Sequence, residues 1–189
     1  MPPAKPPTRD IEEPFWHVEG AAGTLKSGKW DLTPADQPWY HEIEPLLSRA
    51  KRLSPSIWPK PAPIFRYSAL ASKPDVCTSF CEPLRIVSTR LRELIESLDP
   101  TTAQFLPIRV EGPGSGSLGT AYWLVNWLRK WDCLPSPEAY DIDPRRINPS
   151  QHIGLVTSPH LSRLGVVLCD GAFKQAATRA EMIGLRYNR

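Results

Sequence analysis

Cysteine, net charge and long apolar runs are all scarce in this sequence, and each shortage excludes a class of protein. Four cysteines in 189 residues are too few for a disulfide-stapled scaffold, and Cys77 and Cys81 lack the second pair that a structural zinc site needs. A net charge of +3 is too small for the attraction on which non-specific nucleic-acid binding depends. No window approaches the roughly 18 apolar residues of a membrane-spanning helix. We therefore predict reduced cysteines, no metal, no nucleic acid and no membrane partner.

Proline is what the chain has in excess. The sequence contains 22 prolines, more than twice the usual share of about 5%. Each proline fixes φ and removes a backbone donor, so we expect short helices and strands joined by much loop. Hydrophobic residues at 41% and charged residues at 23% lie near the ordinary range for globular proteins, and a folded core is therefore expected.

The N-terminal part is predicted to be the less regular one. Thirteen of the 22 prolines lie in residues 1–82, whereas residues 83–189 carry clear helix and strand patterns. Residues 1–9 are polar and lack the apolar core of a secretory signal, so we expect them to be disordered and the protein to be cytoplasmic. We also expect a short helix over Pro45–Leu53 and an extended segment over Pro55–Pro63. Both parts are expected to form one structural unit.

Two helices are predicted in the second part. The first follows Ser88, whose hydroxyl can cap a helix in which apolar residues recur at helical spacing. Those apolar positions are Leu91, Leu94, Ile95 and Leu98. The second helix follows Asp170, also a capping residue, and Gly184 ends it.

Short strands alternate irregularly with these helices. The predicted strands are Phe105–Glu111, Ala121–Leu128, Ile153–Val156, Gly165–Cys169 and Leu185–Tyr187. The first two are expected to form a hairpin, with Pro107 at a sheet edge or a bulge because it cannot donate to a ladder. Since strict alternation of strand and helix is missing, we predict an α+β fold with a mixed or antiparallel sheet and a few short helices.

Catalytic and cofactor signatures are weak. The glycines at 114, 116 and 119 match a dinucleotide-binding pattern, but a strand-like segment follows where a helix is needed, so we predict a hairpin loop and no cofactor. The histidines at 17, 41, 152 and 160 are isolated, and Asp170 lies beside Cys169. Because no serine or cysteine stands in a known nucleophile motif, we predict no catalytic residue.

Tryptophans near a change from apolar to charged sequence indicate a contact surface instead. Trp123, Trp127 and Trp131 recur every four residues and so share one face. Tryptophan beside arginine is the composition of interface hot spots. The predicted partner-binding residues are Trp127, Arg129, Lys130, Trp131 and, as a further candidate, Arg163.

Several segments of the chain resemble, in order, one large bacterial family. They are the segments Ile86–Glu96, Gln104–Ile108, Tyr122–Asn126, the single residue Asp132 and the segment Gly184–Tyr187. The family is classed by gene neighbourhood among the immunity proteins of polymorphic toxin systems. The resemblance covers roughly residues 80–189, and the turn Gly28–Asp31 adds a looser likeness near the start.

This resemblance implies a single-domain α+β protein that is not an enzyme. It also implies that the protein neutralises a cognate toxin domain by binding it and occluding it sterically, without a cofactor or a small-molecule substrate. Two alternatives stay open at this point. One is a small hydrolase that uses a histidine with a serine or with Cys169, and the other is a non-catalytic module of a secretion assembly.

Overall fold

The computed structural model describes residues 15–20, 31–34, 38–47, 50–66, 74–79, 82–111, 122–131, 143, 151–156 and 166–188. Within these ranges the chain forms eleven strands and three helices, and the strands assemble into a closed barrel and a five-stranded sheet. Both assemblies contain parallel and antiparallel pairs. The predicted α+β class with a mixed sheet and a few short helices is confirmed.

Six strands close the barrel in the order β2-β3-β6-β7-β5-β4. These strands are β2 (Asp31–Pro34), β3 (Ile64–Arg66), β4 (Val76–Ser79), β5 (Glu82–Ser88), β6 (Ala103–Glu111) and β7 (Tyr122–Trp127). The pairs β2–β4 and β3–β6 are parallel, and the remaining pairs are antiparallel. Closure leaves no strand of the barrel as a free edge, which stabilises such short strands.

The predicted hairpin is the longest ladder of the barrel. The strands β6 and β7 pair from Ala103 with Trp127 to Ile108 with Tyr122. The strand β3 pairs only with the last three residues of β6. Pro107 therefore lies, within the described residues, in a stretch of β6 that pairs with a strand on one side only, as its missing N–H predicts.

The second sheet has the order β11-β1-β10-β9-β8. Its strands are β1 (Trp16–Gly20), β8 (Lys130–Trp131), β9 (Ile153–Val156), β10 (Val166–Cys169) and β11 (Leu185–Asn188). The pair β8–β9 is parallel and the others are antiparallel. The strand β1, from the proline-rich part, lies between β10 and β11, so one strand from early in the sequence is inserted between two strands from its C-terminal end.

Three helices pack around the two sheets, namely α1 (Pro38–Leu47), α2 (Thr89–Leu98) and α3 (Gly171–Arg179). The N-cap predictions for α2 and α3 are confirmed, whereas the prediction that Gly184 ends the second helix is wrong, because α3 ends at Arg179 and Ala180 is its C-cap. The Ser88 side chain accepts a hydrogen bond from the Leu91 N–H, and the Asp170 side chain accepts one from the Phe173 N–H. Gly184 follows α3 with φ +90°, a conformation that glycine adopts without strain. Among the described residues, no helix has the length and apolarity to cross a bilayer.

The helix predicted over Pro45–Leu53 is wrong in both bounds. The observed helix α1 begins at Pro38, contains Pro45 and ends at Leu47. A proline inside a helix costs one backbone hydrogen bond but does not always end the helix. The backbone of Leu53 is bonded to a barrel side chain instead of to a helical turn.

The extended segment predicted over Pro55–Pro63 begins with a turn. The Ile57 N–H donates to the Ser54 carbonyl over 3.0 Å. This bond closes a β-turn whose second residue is Pro55, and proline is favoured there because its φ is already fixed at the turn value. The proline that suggested an extended chain therefore forms a turn.

Two hydrophobic clusters form the core. One occupies the barrel and combines residues of the strands with residues of α1, among them Ile43, Phe65, Ile86, Ile108 and Leu124. The other joins the outside of the barrel to the five-stranded sheet and to α2 and α3, through Val18, Val87, Leu91, Val167 and Phe173 among others. The second cluster holds the barrel and the sheet together by burial of apolar surface.

Candidate functional site

The predicted contact residues lie where the chain leaves the barrel and enters the second sheet. The strand β7 ends the barrel segment at Trp127, and β8 begins at Lys130 as an outer strand of the five-stranded sheet. Thr102 fixes this crossing. Its carbonyl accepts from the N–H groups of Leu128 over 2.9 Å and of Arg129 over 3.3 Å, and its hydroxyl donates to the Ile153 carbonyl over 2.9 Å.

Trp127 lies in the core at this crossing. Its side chain is 3% exposed and belongs to the cluster between the barrel and the sheet. A side chain at this depth does not present a surface to a partner, so the interpretation of Trp127 as a direct contact is corrected to a packing role. Its indole N–H is buried and has no hydrogen-bond partner among the residues that the structure describes.

The remaining predicted contacts are placed as follows. Arg129 is half-buried next to the crossing. Lys130 and Trp131 form β8 and pair in register with Leu155 and Val156 of β9. Arg163 lies outside the described residues. The structure therefore places Lys130 and Trp131 on a short strand at the sheet's edge and Arg129 directly before that strand, and the contact role of all three stays a prediction.

A cluster of arginine and aromatic side chains lies between α2 and the barrel. The Arg92 guanidinium lies 4.1 Å from the ring centre of Trp123 and 5.9 Å from that of Phe105. Glu96, one helical turn away, accepts from Arg92 Nε over 3.0 Å and fixes it there. Trp123 is half-buried and packs against the hydrophobic cluster between the barrel and the five-stranded sheet. Because Arg92, Phe105 and Trp123 come from three separate elements that meet only in the fold, no local pattern marks this cluster.

A second cation lies over aromatic rings at the five-stranded sheet. Lys174 Nζ is 3.1 Å from the ring centre of Trp16 and 5.5 Å from that of Tyr187. Burial, and secondarily the neighbouring Cys169, raise the pKa of Tyr187 well above its usual range. These contacts hold α3 against the sheet, so the positive charge of Lys174 interacts with aromatic rings of the protein itself.

Residues 50–63, named here the anchored loop, are held to the barrel by side chains of β6 and β7. The Gln104 side chain accepts from the Leu53 N–H over 2.8 Å and donates to the Leu53 carbonyl over 3.0 Å. Asn126, fully buried, donates to the Lys51 carbonyl over 2.9 Å and to Gln104 Oε1 over 3.1 Å. These two side-chain amides form hydrogen bonds with the backbone at the start of the loop, as a neighbouring strand would.

The far side of the turn in the anchored loop is fixed by Trp58. Its ring is buried in the barrel cluster, and its indole N–H donates to the Pro107 carbonyl over 2.9 Å. Within the turn, Ser54 Oγ accepts from the Ser56 N–H over 3.3 Å. Ile57 at the end of the turn is 47% exposed. Sequence reasoning missed this arrangement, because only the partners on β6 and β7 define it.

One histidine and one aspartate form the pair that a hydrolase would need. His152 Nδ1 lies 2.8 Å from Asp170 Oδ2, and Asp170 is 2% exposed. The other oxygen of Asp170 caps α3. Burial raises the pKa of Cys169 to about 12 and raises that of Cys77 even further, so both stay neutral thiols and weak nucleophiles at neutral pH. This burial argues against the cysteine hydrolase alternative.

The described part of the chain also brings no three metal-ligating side chains together. Both of its cysteines, Cys77 and Cys169, are free and buried. The glycine-rich segment 112–119 and residues 132–142 lie outside the described residues.

The sequence model of one protein family matches the chain. It is the immunity protein family (Imm11), and the match covers residues 21–142. The match contains α2, the β6–β7 hairpin and the anchored loop. It begins earlier than the resemblance noted over residues 80–189 and ends before β9. No curated protein matches the chain.

Proposed function

The protein belongs to the immunity protein family (Imm11), whose match spans well over half of the chain, and on that premise we propose that it binds a cognate bacterial toxin and blocks it sterically. The family match carries this proposal. The partner is a protein domain of a polymorphic toxin system, and the complex needs no cofactor, nucleic acid, membrane or small-molecule substrate. The protein itself makes and breaks no covalent bond.

The chemistry of the described residues supports binding rather than catalysis. Cys169 is a neutral buried thiol beside the His152–Asp170 pair, and Asp170 is engaged in capping α3. Tryptophan, phenylalanine and arginine instead lie half-buried at the surface in the cluster of Arg92 and Trp123. This is the residue composition of interface hot spots.

We place the encounter in the cytoplasm. Both described cysteines are free thiols, which suits a reducing compartment. The proposed contact residues are Arg129 and the two residues of the edge strand β8, Lys130 and Trp131, and Arg163 stays a further candidate. An interface of standard size, about 1,600 Å² in total, is enough to cover a toxin's active surface.

Co-expression with the toxin domain encoded beside this gene tests the proposal. The unaltered protein should restore growth. Trp131→Ala and Arg129→Glu should each weaken binding of the purified toxin domain by about 30-fold, the effect of losing a hot spot of about 2 kcal/mol. Arg179→Glu, an exposed charge reversal on α3, is the matched control and should bind normally. Unrelieved toxicity with the unaltered protein would contradict the proposal.

A further inference from the structure

Ile57 is the most exposed large hydrophobic side chain in the described residues. It is 47% exposed, and Ile183 follows with 36%. A single exposed isoleucine is common on protein surfaces and needs no explanation alone. The position of Ile57 is less common, since it lies at the end of the tight turn in the anchored loop.

The backbone that carries Ile57 is held on both sides. Leu53 before the turn is buried and bonded twice to Gln104, and Trp58 after the turn is buried and bonded to the Pro107 carbonyl. Prolines at 55, 59 and 61 restrict the chain further. A side chain on such a prearranged loop loses little backbone entropy on binding, which favours affinity.

Three positively charged residues flank this apolar tip in the sequence. Residues 50–63 contain Lys51, Arg52 and Lys60 and no aspartate or glutamate. All three cations are exposed, and within the described part of the chain no carboxylate pairs with them. Elsewhere the exposed Arg66 and the half-buried Arg109 both face Glu111. The anchored loop therefore presents one exposed apolar side chain together with three exposed cations that no carboxylate of the described residues pairs.

We propose that the anchored loop is a docking surface for the cognate toxin, with Ile57 inserted into an apolar pocket whose rim carries carboxylates. This inference rests on the proposed function and names the partner's surface chemistry. The buried apolar anchor would slow dissociation, and the basic rim would speed association, because opposite surface potentials steer encounter and rim charges act mainly on the association rate. The dissociation rate and the association rate are measured separately, so the two contributions can be distinguished.

Binding kinetics with the immobilised toxin domain encoded beside this gene test the inference. Ile57→Ser should raise the dissociation rate by about 30-fold and leave the association rate nearly unchanged. The triple variant Lys51→Glu, Arg52→Glu, Lys60→Glu should lower the association rate by about tenfold or more and remove its dependence on salt. Because all four side chains are exposed, melting temperatures should stay unchanged.

Matched control variants show whether a change in binding is specific to substitutions in the anchored loop. Ile183→Ser removes the other exposed isoleucine, and Arg179→Glu reverses a charge on α3; both should bind as the unaltered protein does. If Ile57→Ser and the triple variant also bind unchanged, the docking surface is wrong while the proposed function stands. If the unaltered protein fails to bind, both are wrong. A labelled single-stranded RNA that the unaltered protein retains and the triple variant loses would assign the loop to nucleic acid and overturn the inference.

Discussion

Asp75 is the residue whose carboxylate joins the most distant parts of the chain. It is 2% exposed. One oxygen accepts from the Ser88 hydroxyl over 2.5 Å, and the other accepts from the Ile183 N–H over 2.8 Å and lies 3.6 Å from Arg90 Nη1. The start of β4, the start of α2 and the turn before β11 therefore meet at one side chain.

Replacing Asp75 by alanine should lower the free energy of unfolding by about 3 kcal/mol, because a buried N–H and a hydroxyl lose a charged acceptor. Arg90→Ala should cost about 1 kcal/mol or less, since that guanidinium is largely exposed and screened. Urea denaturation of the two variants measures the difference. Equal losses would show that the buried hydrogen bonds contribute nothing beyond the ion pair.

Cys169 gives stability a defined pH dependence. Its pKa is about 12 in the folded protein against 9.0 for an ordinary thiol. Above pH 9 the unfolded chain releases this proton while the folded chain keeps it, so alkali favours unfolding by about 1.4 kcal/mol per pH unit. Below pH 9 the contribution is constant.

Cys169→Ala should therefore flatten the alkaline fall in stability. Between pH 8 and 10.5 the variant should lose about 2 kcal/mol less than the unaltered protein, as one thiol no longer titrates over about 1.5 pH units. Cys77, whose pKa is also raised, is present in both proteins and cancels in the comparison, and Tyr187 keeps the rise in pKa that burial causes and loses only the secondary part due to Cys169. Identical pH profiles would contradict the burial of this thiol.

At the scale of elements, the anchored loop depends on one glutamine of β6. Gln104→Ala removes both side-chain bonds to Leu53 and one bond of Asn126. The Leu53 amide should then exchange with deuterium at least tenfold faster, since a bond lost from a buried site costs about 1.5 kcal/mol or more. Amides of α2 should exchange as before. Unchanged protection at Leu53 would show that the loop is held by its buried side chains alone.

Helices could be predicted from the sequence where a local pattern determines both their position and their start. The helix α2 was predicted in full because four apolar residues at helical spacing and a capping serine agree, and α3 was predicted from Asp170 in the same way. The helix α1 was misplaced because Pro45 was interpreted as a start. The turn at Pro55 was missed because its geometry depends on Leu53 and Trp58 being bonded to a barrel that is distant in sequence.

At the scale of the whole molecule, Thr102 connects the barrel to the second sheet. It is fully buried, and its hydroxyl donates to the Ile153 carbonyl. Thr102→Val keeps the shape but leaves that carbonyl unpaired, and it should lower the free energy of unfolding by about 1–2 kcal/mol. Thr178→Val removes a similar bond on the exposed face of α3 and should stay within about 0.5 kcal/mol. Equal effects would contradict a role for Thr102 in joining the sheets.

The candidate surface was less predictable than the fold. Composition directed attention to Arg129, Lys130 and Trp131, and these residues do lie together at a sheet edge. Composition also selected Trp127, which is buried. The spacing of aromatic residues shows which of them share a face of a barrel strand. It does not show whether that face is exposed to solvent or covered by a helix and a second sheet. The pairing of Arg92 with Trp123 and the exposure of Ile57 depend on tertiary contacts and have no local signal.

The central claim is that the protein acts by one-to-one binding without turnover. Titrating the purified toxin domain with the protein, at concentrations well above the dissociation constant, tests this most directly. Toxin activity should fall in proportion to added protein and reach its minimum at a molar ratio of one, and dissociation of the complex should return active toxin. Complete inactivation at a small fraction of that ratio, with no recovery on dissociation, would contradict the account by showing catalysis.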